Sequence, residues 1–194
     1  MLSKTLSQRV AAALGAEVTG VTPLTGGCVA TVVRADLADG QAVVIKTLPP
    51  ADPVGLMPEA HALRALAPHA PAPEVLHSVH DLLVMTFLDA ADAPSEGPGV
   101  ELHAAELLAE LHNATAPRFG LDAPTAIGGL LQPNDWRHSW IDFYRDLRIR
   151  HMSEQAQRVG NLPPDVARSV EHLAGRLDEF QCFNFVFLLY SVPR

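Results

Sequence analysis

The chain has 194 residues, 48% of them hydrophobic and 19% charged, with a mean hydropathy of +0.13; this composition folds and is not that of a disordered chain. A formal net charge of −8 and a pI near 5.5 argue against a nucleic-acid partner, which needs clustered Lys and Arg. The nearest basic cluster, Arg145 to Arg150, alternates with Asp146 and apolar residues and reads as a solvated helix face. The two cysteines, Cys28 and Cys182, have neither metal-ligand nor disulfide-scaffold spacing, which fits a reducing, cytoplasmic setting.

Leu2, Leu6, Val10 and Leu14 recur at helical spacing, broken by Lys4, Gln8 and Arg9, so residues 1–15 read as a short amphipathic helix, not a signal peptide. Glu17–Leu24 and Val29–Ala35 read as strands joined by Thr25-Gly26-Gly27-Cys28. Asp39-Gly40, a pair that accepts the positive φ angles of a tight hairpin, leads into a third strand, Ala42–Thr47. Pro49-Pro50 to Pro53 is a loop, and Pro58 opens a helix that runs to Ala67. Glu74–Val79 and Leu82–Leu88 are two more strands about the His80-Asp81 turn. Five strands and one inserted helix make a first lobe, residues 1–88.

Residues 89–99, with Asp92, Pro94, Ser95, Gly97 and Pro98, form a breaker-rich connector. Residues 100–180 are helical in character. Leu102, Ala105, Leu108 and Leu111 form one apolar stripe. After a looped stretch through Phe119 and Gly128-Gly129, Pro133-Asn134-Asp135 opens a long helix with Trp136, Trp140, Phe143 and Leu147 along one side. A third helix, after Pro163-Pro164-Asp165, carries Val166, Val170, Leu173 and Leu177 in the same rhythm. Residues 181–194 are atypical, gathering Phe183, Phe185, Phe187 and Tyr190 in a chain that is 6% aromatic. That run is shorter than the ~20 apolar residues needed to cross a bilayer; a buried strand, a peripheral anchor and the product of an aberrant reading frame all fit it.

A glycine turn, a strand ending in Lys46, a helix carrying Glu59, a strand pair, a connector and then helices follow one another in the order of a protein-kinase-like nucleotide site. Phosphates need backbone N–H groups that can approach closely and one fixed ammonium. Gly26 and Gly27 supply the approach and Lys46 the charge, with Glu59 on the facing helix as its ion-pair partner. Each feature also has a plain structural explanation, a hairpin turn for the glycines and a solvent-facing strand end for Lys46, whose long stem could snorkel to water.

A wider set of segments resembles one family. Thr25-Gly26-Gly27-Cys28, Val44-Ile45-Lys46, Glu59-Ala60-His61-Ala62-Leu63, Leu83-Val84-Met85-Thr86-Phe87-Leu88, Leu108-Ala109-Glu110-Leu111-His112, Phe119-Gly120, Ile127-Gly128 and Gln132-Pro133-Asn134-Asp135-Trp136, followed by Trp140 and Phe143-Tyr144-Arg145, resemble the fructosamine (ketosamine) kinases, relatives of the aminoglycoside phosphotransferases. The resemblance runs from about Val18 to about Phe180. It implies an α+β, protein-kinase-like fold, with a five-stranded antiparallel N-lobe and an incomplete helical C-lobe. The activity it implies is ATP-dependent phosphorylation of a sugar hydroxyl on a ketosamine, a deglycation repair of glycated amines or protein lysine adducts, with ATP and magnesium as cofactors. By the same resemblance Gly26, Gly27 and Cys28 cover the phosphates, Lys46 contacts them and Glu59 orients Lys46. The segment Met85, Thr86, Phe87 and Leu88 meets adenine through its backbone, Thr86 standing where the family usually has an acidic residue. Asp135 and Trp136 fall on the substrate side, or else Trp136 and Trp140 are core residues at helical spacing.

The resemblance also shows a departure. In the family, the helix ending near Phe180 is followed by a strand and a His-Gly-Asp loop that supplies the base, then by an Asn and a further Asp that hold magnesium. None of these is in the chain. His80-Asp81 is its only His-Asp pair and lies in a first-lobe turn. No catalytic or metal-ligating residue is therefore expected here, and this truncated kinase is expected to be inactive alone. A non-catalytic nucleotide-binding pseudokinase, an interaction module and a frameshifted fragment are the other readings. Cys28 is either a reactive thiol, its thiolate favoured by the N–H groups that favour phosphate, or a small apolar loop residue.

Overall fold

The computed structural model describes residues 3–25, 29–89 and 97–180. Gly26, Gly27 and Cys28, residues 90–96 of the expected connector and the tail from residue 181 lie outside the described residues. The chain divides into two compact units, residues 1–104 with 128–130, and residues 105–127 with 131–194. Among the described residues no helix is long and apolar enough to cross a membrane.

The first unit begins with α1 (Lys4–Leu14), capped by Ser3, whose Oγ accepts from Leu6 N–H, and closed by Gly15 at φ 72°. Five strands follow: β1 (Val18–Pro23), β2 (Thr31–Leu37), β3 (Ala42–Thr47), β4 (Val75–Val79) and β5 (Leu82–Thr86), with α2 (Met57–Leu66) between β3 and β4. They form one antiparallel sheet in the order β1-β2-β3-β5-β4. The first lobe therefore has the strand count and the inserted helix that the sequence predicts. Alternation along the strands divides the core in two. Val33, Ala35, Val43, Ile45, Leu82 and Val84 meet Val10 of α1. Leu83, Met85 and Val44 meet Leu56, Ala60 and Leu63 around α2. Covered on both faces, β5 is apolar and buried from Leu82 to Met85, so it lacks the period-two pattern of a half-exposed strand.

One turn differs from expectation. Only Gly40, at φ 88°, takes a positive φ between β2 and β3, and Asp39 does not. Leu37 N–H donates to Gln41 O at 2.8 Å and Gly40 N–H to Leu37 O at 3.0 Å, so the loop has three residues, with glycine at the left-handed position. The Asp39 carboxylate instead accepts from Gln41 N–H at 3.0 Å.

The later elements are α3 (Pro98–Asn113), which crosses the boundary between the units, the strand pair β6 (Thr125–Ile127) and β7 (Leu130–Gln132), α4 (Trp140–Tyr144), a π-helical segment Arg145–Arg150, α5 (His151–Arg158), α6 (Pro164–Ala174) and a 3-10 turn Leu177–Phe180. The β6–β7 pair occupies a stretch the sequence reading leaves as loop. In α3 only Leu111 is buried, and Leu102 and Leu108 are 62% and 48% exposed, so the predicted stripe is not covered by described residues. In α6 the buried residue is Ala174, while Val166 and Leu173 are exposed. Val166 and Leu173 sit beside the contact line, which carries half-buried Val170 and buried Ala174.

The largest correction concerns Pro133-Asn134-Asp135, which does not open a helix. Residues 133–139 run irregularly, pinned to the preceding loop by Leu121 N–H donating to Asn134 O and by a two-bond bridge between Phe119 and Arg137. The helix starts at Trp140 behind the Ser139 cap. Trp140 packs with Phe119, Phe143 and Leu147, and Trp136 lies outside this cluster. The charged side chains of the Arg145–Arg150 segment stay partly exposed, as a solvated face would, and are also paired. Arg145 pairs with Asp142 and Asp146, and Arg150 with Asp146 and Glu171 of α6.

Phe143 is fully buried at the centre of the aromatic cluster, with its ring 5.7 Å from Trp140. Phe143→Ala is expected to cost about 3–5 kcal/mol, read as a lower urea midpoint, together with loss of the near-ultraviolet circular dichroism of Trp140.

Candidate functional site

Lys46 faces Val32 of β2 and Leu83 of β5 across the ladder. Its neighbours Val43 and Ile45 face α1, so period-two alternation puts the lysine on the α2 side. There its Nζ donates to Glu59 Oε2 at 2.5 Å. The sequence expects this pair, and the structure brings it together. Both side chains are partly open to solvent, Lys46 at 24% and Glu59 at 38% exposure. A pair this accessible contributes at most about 1 kcal/mol to folding, so its significance is a charge held in place at the mouth of the sheet.

Gly26, Gly27 and Cys28 are outside the described residues, but the strands around them are described. Leu24 N–H donates to Val32 O at 3.1 Å, and Val32 is the residue opposite Lys46. Lys46 therefore stands at the end of the sheet where β2 leaves the glycine segment. At the other end of β3, Thr86 pairs with Val43, three residues away from Lys46, or ~10 Å at the strand rise.

The segment Met85 to Leu88 offers less than its length implies. The Met85 side chain is buried against Leu56 and Ala60. Thr86 N–H donates to Glu74 O, Thr86 Oγ1 accepts from Glu74 N–H, and Phe87 N–H donates to Ala42 O at 3.3 Å. The Phe87 ring carries the Arg34 guanidinium at 4.6 Å. Leu88 is exposed, and no acceptor for its N–H occurs among the described residues.

Asp135 and Trp136 belong to the second unit. Trp136 Nε1–H donates to Asp122 Oδ1 at 2.9 Å, the Arg118 guanidinium lies 5.7 Å from the Trp136 ring, and Asp135 is exposed. With Leu121, Ala123, Pro124, Pro133 and Asn134 they line an open cleft of about 430 Å³. Trp136 is thus a cleft residue, and Trp140 is the core one.

Sequence reasoning missed Asn134, the only buried polar residue among those described. Its Nδ2 donates to Ala123 O at 2.8 Å and Thr125 Oγ1 at 3.2 Å, and its Oδ1 accepts from Arg148 Nη2. Arg148 Nη1 also donates to Pro133 O at 2.7 Å, and its guanidinium stacks 4.6 Å from the Phe143 ring. Asn134 and Arg148 together fix both walls of the cleft. The signal was Asn134 itself, a side chain with donors and an acceptor set between Pro133 and Asp135.

His80 and Asp81 do not form an acid–base pair. His80 Nε2–H donates to Asp52 O at 2.7 Å, and the Asp81 carboxylate is bound at both oxygens by Arg9, at 2.6 and 2.8 Å. Those hydrogen bonds hold the Asp81 carboxyl below its ordinary range, against opposing desolvation. The Asp52 carboxyl is likewise lowered, by the backbone N–H groups of Gly55 and Val54. Among the described residues no three His, Cys, Asp or Glu side chains gather to hold a metal ion.

A five-stranded antiparallel sheet with a Lys–Glu pair bridging it to its inserted helix, followed by helices, defines an α+β, protein-kinase-like fold. A crystal structure from Thermobifida fusca assigned as a fructosamine-3-kinase superposes with a TM-score of 0.80 at 28% identity, covering 95% of this chain and 65% of that one. The family profile described as fructosamine kinase matches residues 2–184, and the chain belongs to that family. The probable ketoamine kinase YniA of Escherichia coli K12 is 35% identical over 75 residues, 38% of this chain and 26% of that protein. The chloroplastic protein-ribulosamine 3-kinase of Arabidopsis thaliana is 34% identical over 77 residues, 39% of this chain and 22% of that protein. The matched segments are thus about a quarter of each of these curated relatives, and the chain spans just under two thirds of the Thermobifida structure.

The Arg9–Asp81 pair carries a pH signature. A carboxyl lowered by folding adds stability above its unfolded value, near pH 4, and loses it as pH falls through the folded value. Arg9→Gln is therefore expected to have a lower urea midpoint than the wild type at pH 7, with the gap closing on acidification below about pH 4.

Proposed function

We propose that this chain carries the nucleotide-binding part of an ATP-dependent kinase that phosphorylates a sugar hydroxyl of ketosamines. The observation that carries the reading is the Lys46–Glu59 pair, an ammonium oriented by a carboxylate at the end of the sheet where β2 leaves Gly26, Gly27 and Cys28. In this reading the glycine segment covers the phosphates and Lys46 donates to their oxygens. Glu59 keeps the ammonium aimed while its three hydrogens are shared. The adenine edge meets the backbone at Leu88, whose N–H has no acceptor among the described residues. The ~10 Å between the two ends of β3 suits a base at one end and phosphates at the other. Family membership and the names of the relatives support the kinase class and the ketosamine substrate. Asp135 and Trp136 are the substrate-side candidates, their indole and carboxylate lining the second-unit cleft.

Bound magnesium would neutralise charge on the phosphates. The described residues gather no set of three His, Cys, Asp or Glu side chains that could hold it. Its ligands and the base are proposed to lie outside these 194 residues, so the chain alone binds nucleotide without turning it over.

Two measurements test this. Hydrogen bonds to charged groups are worth about 1.5–3 kcal/mol, so Lys46→Met is expected to weaken binding of an ATP analogue about ten- to hundredfold, by calorimetry, with little change in melting temperature. ADP release by the 194-residue chain with ATP, magnesium and a fructosyl amine is expected at background; clear turnover would show that residues within the chain supply the base.

A further inference from the structure

The start of α2, and with it Glu59, is fixed by the turn between β4 and β5. Leu56 stands three residues before Glu59, is buried against Ala60, Leu83 and Met85, and donates its N–H to His80 O at 2.8 Å. The loop ahead of Leu56 folds around Asp52, whose Oδ1 accepts from the N–H groups of Val54 at 2.9 Å and Gly55 at 2.7 Å. The Asp52 carbonyl accepts from His80 Nε2–H. Gly55 has φ +71°, and a Cβ there would fall 2.4 Å from His80 Nδ1, so the imidazole is wedged against the loop with no room between them. On the other side of the turn, Arg9 reaches from α1 to grip Asp81. A continuous path of contacts thus runs from α1 through Arg9, Asp81 and His80 to the first turn of α2, and from there through Glu59 to Lys46, entirely within the first unit.

The links of this path lie near the surface, where each ion pair or hydrogen bond adds little to global stability. Their effect is on position. The Lys46–Glu59 contact, 2.5 Å long, ceases to be a hydrogen bond once it lengthens by about 1 Å, and Glu59 is placed by whatever places Leu56. We propose that His80 and Asp81, held by Arg9, are positioning residues for the Lys46–Glu59 pair and so set nucleotide affinity from outside the site. The affinity part rests on the nucleotide reading of that pair given above; the positioning part does not.

Lysine acylation reads the pair without any nucleotide. The chain has two lysines, Lys4 and Lys46, and exposed Lys4 at the start of α1 serves as an internal reference. An ammonium engaged by Glu59 must leave it before it reacts. Acetylation rates by mass spectrometry, and the Kd for an ATP analogue, are measured on the full chain carrying Arg9→Gln, Asp81→Asn, His80→Leu or His80→Gln, each with and without Glu59→Ala. Arg9→Gln, Asp81→Asn and His80→Leu are expected to raise the Lys46-to-Lys4 rate ratio and weaken binding, each by about two- to tenfold, the range of one lost hydrogen bond. His80→Gln, which keeps a donor for the Asp52 carbonyl, is expected to stay near wild type. With Glu59→Ala present, the same substitutions are expected to change neither quantity. A wild-type rate ratio in the Arg9 and Asp81 variants, or equal effects with and without Glu59, overturns the proposal. If the labelling pattern holds but the wild-type chain takes up no nucleotide, the claim on affinity and the nucleotide reading fall, and the positioning of Lys46 stands.

Discussion

Successive side chains of a strand point to opposite faces of its sheet, and in the first unit both faces of β3 and β5 are covered. That constraint governs the candidate site. Val43 and Ile45 commit one face to α1, so Val44 and Lys46 must share the other with α2, where Glu59 waits. Slipping β3 by one residue would drive the ammonium into the aliphatic cluster around Val10 and turn Ile45 toward Glu59. The register that aims Lys46 is thus enforced by its aliphatic neighbours, each worth more through burial than the ion pair itself.

The second unit is ordered differently. Its aromatic cluster of Phe119, Trp140 and Phe143 is small, and the loop it supports is held by polar contacts converging on Asn134. A buried amide removed from its partners would leave unmet donors and acceptors on several segments at once, which costs more than the bonds contribute when made. Such an arrangement specifies one geometry for the Asp122–Trp136 cleft and tolerates few others. Gly120 belongs to the same device: a Cβ there would fall 2.7 Å from Asn134 O, so the two backbones meet at a distance only glycine allows.

How much of this was legible in the sequence follows from which forces acted over short range. The strands and α2 were readable because alternation, Asp39-Gly40 and Pro58 are local signals. The Lys46–Glu59 pair was readable because its spacing spans several such elements. Trp136 was misplaced because two tryptophans four residues apart satisfy a helical period by coincidence, one lying in irregular chain and the other in helix. The true start of the helix was marked by Ser139, a cap that the periodicity overrode. The β6–β7 pair is three residues a side and leaves too few positions for a pattern. The roles of Arg9, Asp81, Asn134 and Arg148 depend on partners 9 to 72 residues away, and nothing local announces them.

The π-helical segment sets the phase between the two ends of its helix. Trp140, Phe143 and Leu147 address the aromatic cluster, while Arg148 and Arg150 address the Pro133 carbonyl, the Asn134 side chain and Glu171 of α6. Each residue of an α-helix advances by 100°, and a π turn takes in one residue more than an α turn, so this segment rotates the second set of targets relative to the first. Deleting one residue between Arg145 and Arg150 would leave a more regular helix that could keep its aromatic face or its α6 partner, but not both.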